Sequence, residues 1–88
     1  MTDIRGKVAL VTGAAGGLGR AITLGLLEAG ARVMATDVSE TALHALADEG
    51  ARPGLATRVL DLSDNRACVE AVATGEREFG RLDILINN

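Results

Sequence analysis

The sequence lacks tyrosine and tryptophan, and it has one phenylalanine, one proline and one cysteine among 88 residues. A lone cysteine, Cys68, excludes an internal disulfide framework and a metal site built from several thiolates. No apolar run approaches the roughly 20 residues needed to cross a bilayer, and the first one, Val8–Val11, is too short for the core of a secretory signal. These absences predict a cytoplasmic chain in a reducing compartment.

Length, charge and composition limit the number of domains and the kinds of partner that this protein can bind. The net charge is −3, from 12 acidic and 9 basic residues, so no basic surface for nucleic acid or anionic membrane is expected. Hydrophobic residues make up 48% and charged residues 24%, which is typical of globular domains. We therefore expect a single domain over residues 1–88, with nucleic acid and membranes excluded as partners.

Short apolar runs alternate with segments of helical periodicity. Strands are predicted over residues 7–12, 32–37, 56–62 and 82–87, and helices over residues 17–29, 39–50 and 63–79. Strands joined by single helices lie parallel, through right-handed crossovers. The sequence thus predicts an α/β fold, a Rossmann-like doubly wound parallel sheet in the order βαβαβαβ, with strand order 3-2-1-4.

The same periodicity predicts the buried side of each helix. In the first helix the predicted residues are Leu18, Ala21, Ile22, Gly25, Leu26 and Ala29. In the second they are Ala42, Leu43, Leu46 and Ala47, with Ser39 as the N-cap and His44 on the outward side. In the third they are Cys68, Val72 and Phe79, and Gly75 is expected to cost about 1 kcal/mol relative to alanine.

A glycine-rich segment, Thr12-Gly-Ala-Ala-Gly-Gly-Leu-Gly19, joins the first predicted strand to the first helix. Backbone N–H groups at a helix N-terminus attract anions, and the helix dipole adds to that attraction. Glycines there permit a tight turn and a close approach to a diphosphate. Taken alone, the segment also fits a connection that only packs helix on strand. It is not a Walker A motif, because no Gly-Lys-Ser/Thr follows.

Polar residues end all four predicted strands, at Thr12, Asp37, Asp61 and Asn87. In an open parallel sheet these ends share one rim, where ligands bind. Asp37 stands where a carboxylate accepts hydrogen bonds from the adenosine ribose of a dinucleotide. It would repel a 2′-phosphate by up to ~4 kcal/mol per unit charge, and neither Val38 nor residues 14–17 include an arginine or lysine. The sequence therefore favours NAD over NADP.

As a set, these residues resemble the short-chain dehydrogenases/reductases in their classical branch. Thr12-Gly13-x-x-x-Gly17-x-Gly19 matches the cofactor motif of that family, although Gly16 also permits the spacing of the extended branch. Asn87-Asn88 favours the classical branch, because it looks like the first half of Asn-Asn-Ala-Gly. The resemblance implies cofactor binding at Gly13, Gly16, Gly17, Leu18, Gly19, Asp37, Asp61, Leu62 and Asn87.

The resemblance assigns parts of the cofactor to these residues. The backbone of residues 17–19 should hold the pyrophosphate, Asp37 the ribose, and the Asp61-Leu62 pair the adenine edge, while Asn87 should fix the fourth strand and the cofactor wall. The implied chemistry is hydride transfer between nicotinamide and an alcohol or carbonyl. The family's acid/base tyrosine, in Tyr-x-x-x-Lys, has no counterpart here, and Lys7 precedes the first strand. No catalytic residue and no metal ligand set is predicted.

We therefore expect the N-terminal, cofactor-binding part of an oxidoreductase, truncated after the fourth strand and inactive alone. The apolar edge of residues 82–86 should be covered by a missing C-terminal half or by self-association. The alternative is a non-catalytic nucleotide-binding or interaction module with the same fold. A methyltransferase-like fold is disfavoured because Thr12 stands where an acidic residue is usual, and a receiver domain is excluded because no acidic cluster ends the first strand.

Overall fold

The computed structural model describes residues 3–49, 54–61 and 65–88. Its elements are β1 (Val8–Val11), α1 (Gly17–Glu28), β2 (Arg32–Asp37), α2 (Glu40–Glu49), β3 (Leu55–Val59), α3 (Asn65–Phe79) and β4 (Ile84–Ile86). The predicted βαβαβαβ order is confirmed, although β1, β3 and β4 are shorter than the predicted strands. Pro53 and the first two residues of the third predicted helix, Ser63 and Asp64, lie outside the described residues.

The four strands form one parallel sheet in the order β3-β2-β1-β4. Leu10 in β1 pairs with Met34 in β2 and with Leu85 in β4, which fixes the register across the centre of the sheet. β1 is fully buried, as expected of a central strand with helices on both faces. The predicted strand order is confirmed, with β3 and β4 at the two edges of the sheet.

The helices divide between the two faces of the sheet. Leu27 of α1 and Leu43 of α2 pack in one cluster with Val11, while α3 brings Ala71 against Leu10 on the other face. Because successive side chains of a strand point to opposite faces, neighbouring residues of β1 serve different layers. The doubly wound architecture predicted from the sequence is confirmed.

The predicted buried face of α1 is wrong at four of its six positions. Leu18, Ala21, Gly25 and Ala29 are exposed, whereas Ile22 and Leu26 are half-buried and Leu26 packs against the core. The buried residues of the helix are Gly19, Thr23 and Leu27. Apolar periodicity misses this face because two of its three residues are a glycine and a threonine. The Thr23 hydroxyl donates to the Gly19 carbonyl over 2.9 Å, so it is satisfied inside the protein.

α2 follows the prediction closely. Leu43 and Leu46 are buried, and the Ser39 hydroxyl oxygen accepts from the Ala42 N–H over 3.2 Å, which is an N-cap bond. His44 lies on the outer side, 3.9 Å from Glu40, with 73% of its side chain exposed. No helix in the described parts of the chain is long and apolar enough to cross a membrane.

α3 packs on the sheet through its predicted residues Val72 and Phe79, which are half-buried against Leu10 and Met34. The predicted inward placement of Cys68 concerns a side chain outside those described. Between them Gly75 is buried, and a methyl group there would meet Met34 Sδ at 3.7 Å, an ordinary van der Waals distance. The flexible methionine therefore leaves room for a larger residue.

Replacing Gly75 by alanine should raise the free energy of unfolding by about 0.5–1 kcal/mol, because alanine loses less backbone entropy in a helix. Thermal unfolding measured by circular dichroism checks this as a rise in Tm. The matched control is Ala73→Gly in the same helix, which should lower Tm. A lower Tm for Gly75→Ala would mean that the helix cannot accept a methyl group against Met34.

β4 is tied to β1 at its start and has an open outer edge. The Asp83 carboxylate accepts from the Val8 N–H over 2.9 Å and from Arg81 over 2.7 Å. Both bonds lower the pKa of the Asp83 carboxyl, and the bond from the Arg81 guanidinium has the larger effect. Leu85 is 56% exposed on this edge strand. Self-association through this edge stays a prediction.

Candidate functional site

A cleft of about 210 Å³ opens at the carboxyl ends of the strands. Its lining consists of Thr12, Gly13, Thr36, Asp37, Val38, Leu60, Asn87 and Asn88. Three of the four predicted polar strand ends therefore meet there: Thr12, Asp37 and Asn87. The fourth, Asp61, is exposed two residues beyond β3 and stands outside the lining formed by the described residues.

The turn between β1 and α1 has a backbone shape that depends on glycine. Gly13 and Gly17 adopt φ values of +59° and +51°, in the left-handed region that favours glycine. Gly16, between them, has an extended backbone with φ −131°, and a side chain there would meet nothing within 4 Å. The conformation thus requires glycine at positions 13 and 17 and not at position 16.

Gly19 is required for a different reason, close packing. A methyl group at this position would overlap the Gly13 carbonyl and come within 2.8 Å of Asn88 Nδ2. The first turn of α1 can therefore approach the end of β1 only without a side chain. The structure therefore requires glycine at positions 13, 17 and 19. This is the glycine spacing of the classical motif and not of the extended one.

Among the described residues, no acceptor bonds the backbone N–H groups that begin α1. The N–H groups of residues 17–19 precede the first intrahelical bond, which runs from Arg20 N–H to the Gly16 carbonyl over 3.3 Å. The first turn of α1 contains no acidic residue, so nothing in that turn offsets the positive end of the helix dipole. Leu18 turns 68% of its surface to solvent. This end of the helix can bind an anion through its backbone.

Asp37 joins the end of β2 to the turn. One carboxylate oxygen accepts from the Ala15 N–H and the other from the Ser39 N–H, each over 3.1 Å. A carboxylate offers about four lone-pair positions. Each oxygen therefore keeps one position for a further donor, and the residue is only half-buried beside the cleft. Sequence reasoning did not foresee the bond to Ala15.

The end of β4 is tied to the same turn from the other side. The Thr12 hydroxyl accepts from the Asn88 N–H over 3.0 Å, and it lies 3.3 Å from Asn87 Oδ1, within donating distance. The Asn88 side-chain amide donates to the Gly13 carbonyl over 3.2 Å. The turn is thus fastened on both flanks of the cleft, by polar groups that follow β2 and β4.

Two cleft residues escaped the sequence reasoning. Thr36 is buried, and its hydroxyl donates to the Val11 carbonyl over 3.2 Å, a contact for which the sequence has no signal. The motif that includes Asn88 does not predict its bond to the Gly13 carbonyl, because that bond depends on how β4 ends. The predicted adenine residue Leu62 lies outside the described residues. Val38 and Leu60 give the cleft an apolar wall.

Comparison with known proteins adds a family. The family model described as short chain dehydrogenase matches residues 7–88. D-threitol dehydrogenase of Mycolicibacterium smegmatis is 47% identical over 88 residues, covering 94% of this chain and 33% of that protein. The chain spans about a third of the length of the curated relatives it matches.

Solved structures agree with the fold described above. A short chain dehydrogenase/reductase from Burkholderia phymatum in complex with NAD superposes with a TM-score of 0.90 at 29% identity, covering 97% of this chain and 31% of that one. A 3-ketoacyl-(acyl-carrier-protein) reductase from Brucella melitensis complexed with NADH gives 0.85 at 30% identity, covering 93% of this chain and 33% of that one.

Proposed function

This chain belongs to the short chain dehydrogenase family, and on that premise we propose that it forms the NAD-binding part of an oxidoreductase acting on an alcohol or a carbonyl. The observation that carries the proposal is one juxtaposition. Gly13 and Asp37 line the same cleft, and the turn that leads from Gly13 into α1 is bonded to the Asp37 carboxylate through the Ala15 N–H over 3.1 Å. The start of α1, at residues 17–19, lies just outside that lining. The start of α1 suits a diphosphate and the Asp37 carboxylate suits a sugar.

The diphosphate would lie on the backbone of the glycine turn. Its negative charge suits the free N–H groups of residues 17–19 and the dipole of α1. Gly13 and Gly16 carry no side chain that would hold the ligand away from the backbone, and the exposed Leu18 contributes through its N–H. Two solved relatives are complexes with NAD and with NADH, which supports the choice of ligand.

The adenosine would lie between β2 and β3. Asp37 has acceptor positions left for the ribose hydroxyls, and Val38 and Leu60 offer apolar contacts to a flat base. Asp61 and Leu62 are the residues that the family resemblance assigns to the adenine edge. Asp61 is exposed and follows Leu60, which lines the cleft, so it would reach the base from outside that lining.

NAD is favoured over NADP by the charge around Asp37. A 2′-phosphate would face this carboxylate, and the described residues that line the cleft include no arginine or lysine to offset it. Arg20 is the basic residue of α1, and its Nε donates to the Glu49 carboxylate over 3.0 Å. The repulsion, up to ~4 kcal/mol per unit charge at an effective dielectric near 20, would weaken NADP binding.

Replacing Asp37 by alanine should lower the ratio of the NADPH dissociation constant to the NADH dissociation constant by about tenfold or more. NADH loses hydrogen bonds to a charged acceptor while NADPH escapes repulsion. Calorimetric titration of both cofactors checks this. The matched control is Glu40→Ala, which removes the same charge at the start of α2 and should leave the ratio unchanged. An unchanged ratio in Asp37→Ala would remove the ribose assignment.

Hydride transfer is the chemistry that a bound nicotinamide supplies. These 88 residues include no tyrosine, so the acid/base group implied by the family resemblance is not among them. We therefore assign binding and orientation of the cofactor to this chain, and no proton transfer. Its residues would hold the diphosphate, orient the ribose and keep the cleft wall in place through Thr12 and Asn87.

A further inference from the structure

The turn residues Ala14 and Ala15 are fastened to the last two residues of β2. The Ala14 N–H donates to the Thr36 carbonyl over 3.0 Å, and the Ala15 N–H donates to the Asp37 carboxylate over 3.1 Å. Ala14 is fully buried and Ala15 is 9% exposed. The first bond needs only backbone, whereas the second depends entirely on one side chain.

The bond between the Ala15 N–H and Asp37 is partly buried at the edge of the cleft. Without Asp37 this N–H would need a water molecule or a different turn conformation to supply its partner. The Asn88 amide holds the Gly13 carbonyl and the Thr36 carbonyl holds the Ala14 N–H. Within the part of the chain that the structure describes, the segment from Ala15 to Gly17 has no such bond besides the one to Asp37, and its two glycines permit other backbone conformations. The bond to the carboxylate is charge-assisted and therefore stronger than one between neutral groups. Asp37 thus fixes the part of the turn that leads from Ala15 into α1.

We infer that Asp37 is a positioning residue for the glycine turn, in addition to the ribose contact on which the proposed function rests. Through this one carboxylate the sugar site and the diphosphate site are coupled. Each oxygen bonds one backbone N–H and keeps one acceptor position, so a sugar hydroxyl can bind without displacing the Ala15 bond.

A positioning role for Asp37 predicts that its removal weakens diphosphate binding, whereas its charge alone predicts the opposite. As a negative charge beside the turn, Asp37 repels a diphosphate, and its removal alone would strengthen binding of an anion. As a positioning residue, it holds the N–H groups where a diphosphate meets them, and its removal weakens that binding. A ligand without ribose hydroxyls separates this effect from the direct sugar contact.

ADP and 2′,3′-dideoxy-ADP are titrated into the protein and into its Asp37→Ala and Glu40→Ala variants. NMR follows each titration and gives the dissociation constants. Dideoxy-ADP keeps the diphosphate and loses both hydroxyls that Asp37 would bind. We expect Asp37→Ala to weaken dideoxy-ADP binding by about 5- to 20-fold and Glu40→Ala to leave it unchanged. Unchanged or tighter binding of dideoxy-ADP by Asp37→Ala overturns the inference.

Amide hydrogen exchange provides a second test, which needs no ligand. Without ligand, the Ala15 amide should exchange slowly, and in Asp37→Ala it should exchange faster while Ala14, bonded to Thr36, keeps its protection. Rapid exchange at Ala15 in the unmodified protein overturns the inference. Failure of the unmodified protein to bind ADP would instead count against the proposed function, since the Ala15 bond is measured without ligand.

Discussion

Replacing Gly19 by alanine should lower the free energy of unfolding by about 1–3 kcal/mol and weaken NADH binding, although the change adds one methyl group. That methyl group would overlap the Gly13 carbonyl and crowd the Asn88 side-chain amide. Neither neighbour can yield easily, because the Gly13 carbonyl belongs to the turn and Asn88 is bonded to it. α1 would have to move away from the end of β1.

Gly16→Ala is the matched control, three residues earlier in the same segment. A methyl group there meets nothing within 4 Å, and the backbone has φ −131°, which alanine adopts readily. Urea unfolding followed by circular dichroism should separate the two variants, with Gly16→Ala close to the unmodified protein. Equal loss of stability in both variants would refute the packing at Gly19.

Gly17→Val should raise the dissociation constant for NADH by at least about 100-fold. A branched side chain at φ +51° is strained by about 1–2 kcal/mol, so the turn would leave the left-handed conformation. The N–H groups of residues 17–19 would then no longer face one anion. Fluorescence titration with NADH and with NADPH measures the loss, which should affect both cofactors because both carry the diphosphate.

Gly17→Ala completes the series, because alanine carries part of the backbone strain without the branched side chain. Its affinity for NADH should lie between those of the unmodified protein and Gly17→Val. Circular dichroism and thermal unfolding of each variant show whether the fold survives. Normal NADH binding by a folded Gly17→Val protein would mean that the diphosphate lies elsewhere.

The fold could be predicted from the sequence because its signals are local and repeated. Each strand is a short apolar run, each helix is periodic, and α2 begins at a serine cap that the structure retains. The buried face of α1 could not be predicted from apolar residues, since Gly19 and Thr23 occupy it. A threonine is buried there because its hydroxyl bonds within the helix, which composition does not reveal.

Most of the cleft's polar residues could be predicted from the sequence, whereas the hydrogen bonds that join them could not. Thr12, Asp37 and Asn87 line one cleft, as expected of polar residues at the carboxyl ends of parallel strands, which share a rim. The bond from Ala15 to Asp37 and the bond from Asn88 to Gly13 depend on the three-dimensional path of the turn. No residue pattern encodes that path. Asp61, placed by the same strand-end rule, stands outside the cleft lining because β3 ends two residues earlier.

The most direct test is a crystal structure of the protein with NADH bound. We predict the cofactor diphosphate within hydrogen-bonding distance of the N–H groups of residues 17–19, and a ribose hydroxyl on the Asp37 carboxylate. Cofactor bound away from the carboxyl ends of the strands, or no cofactor at saturating NADH in a folded protein, would contradict the assignment.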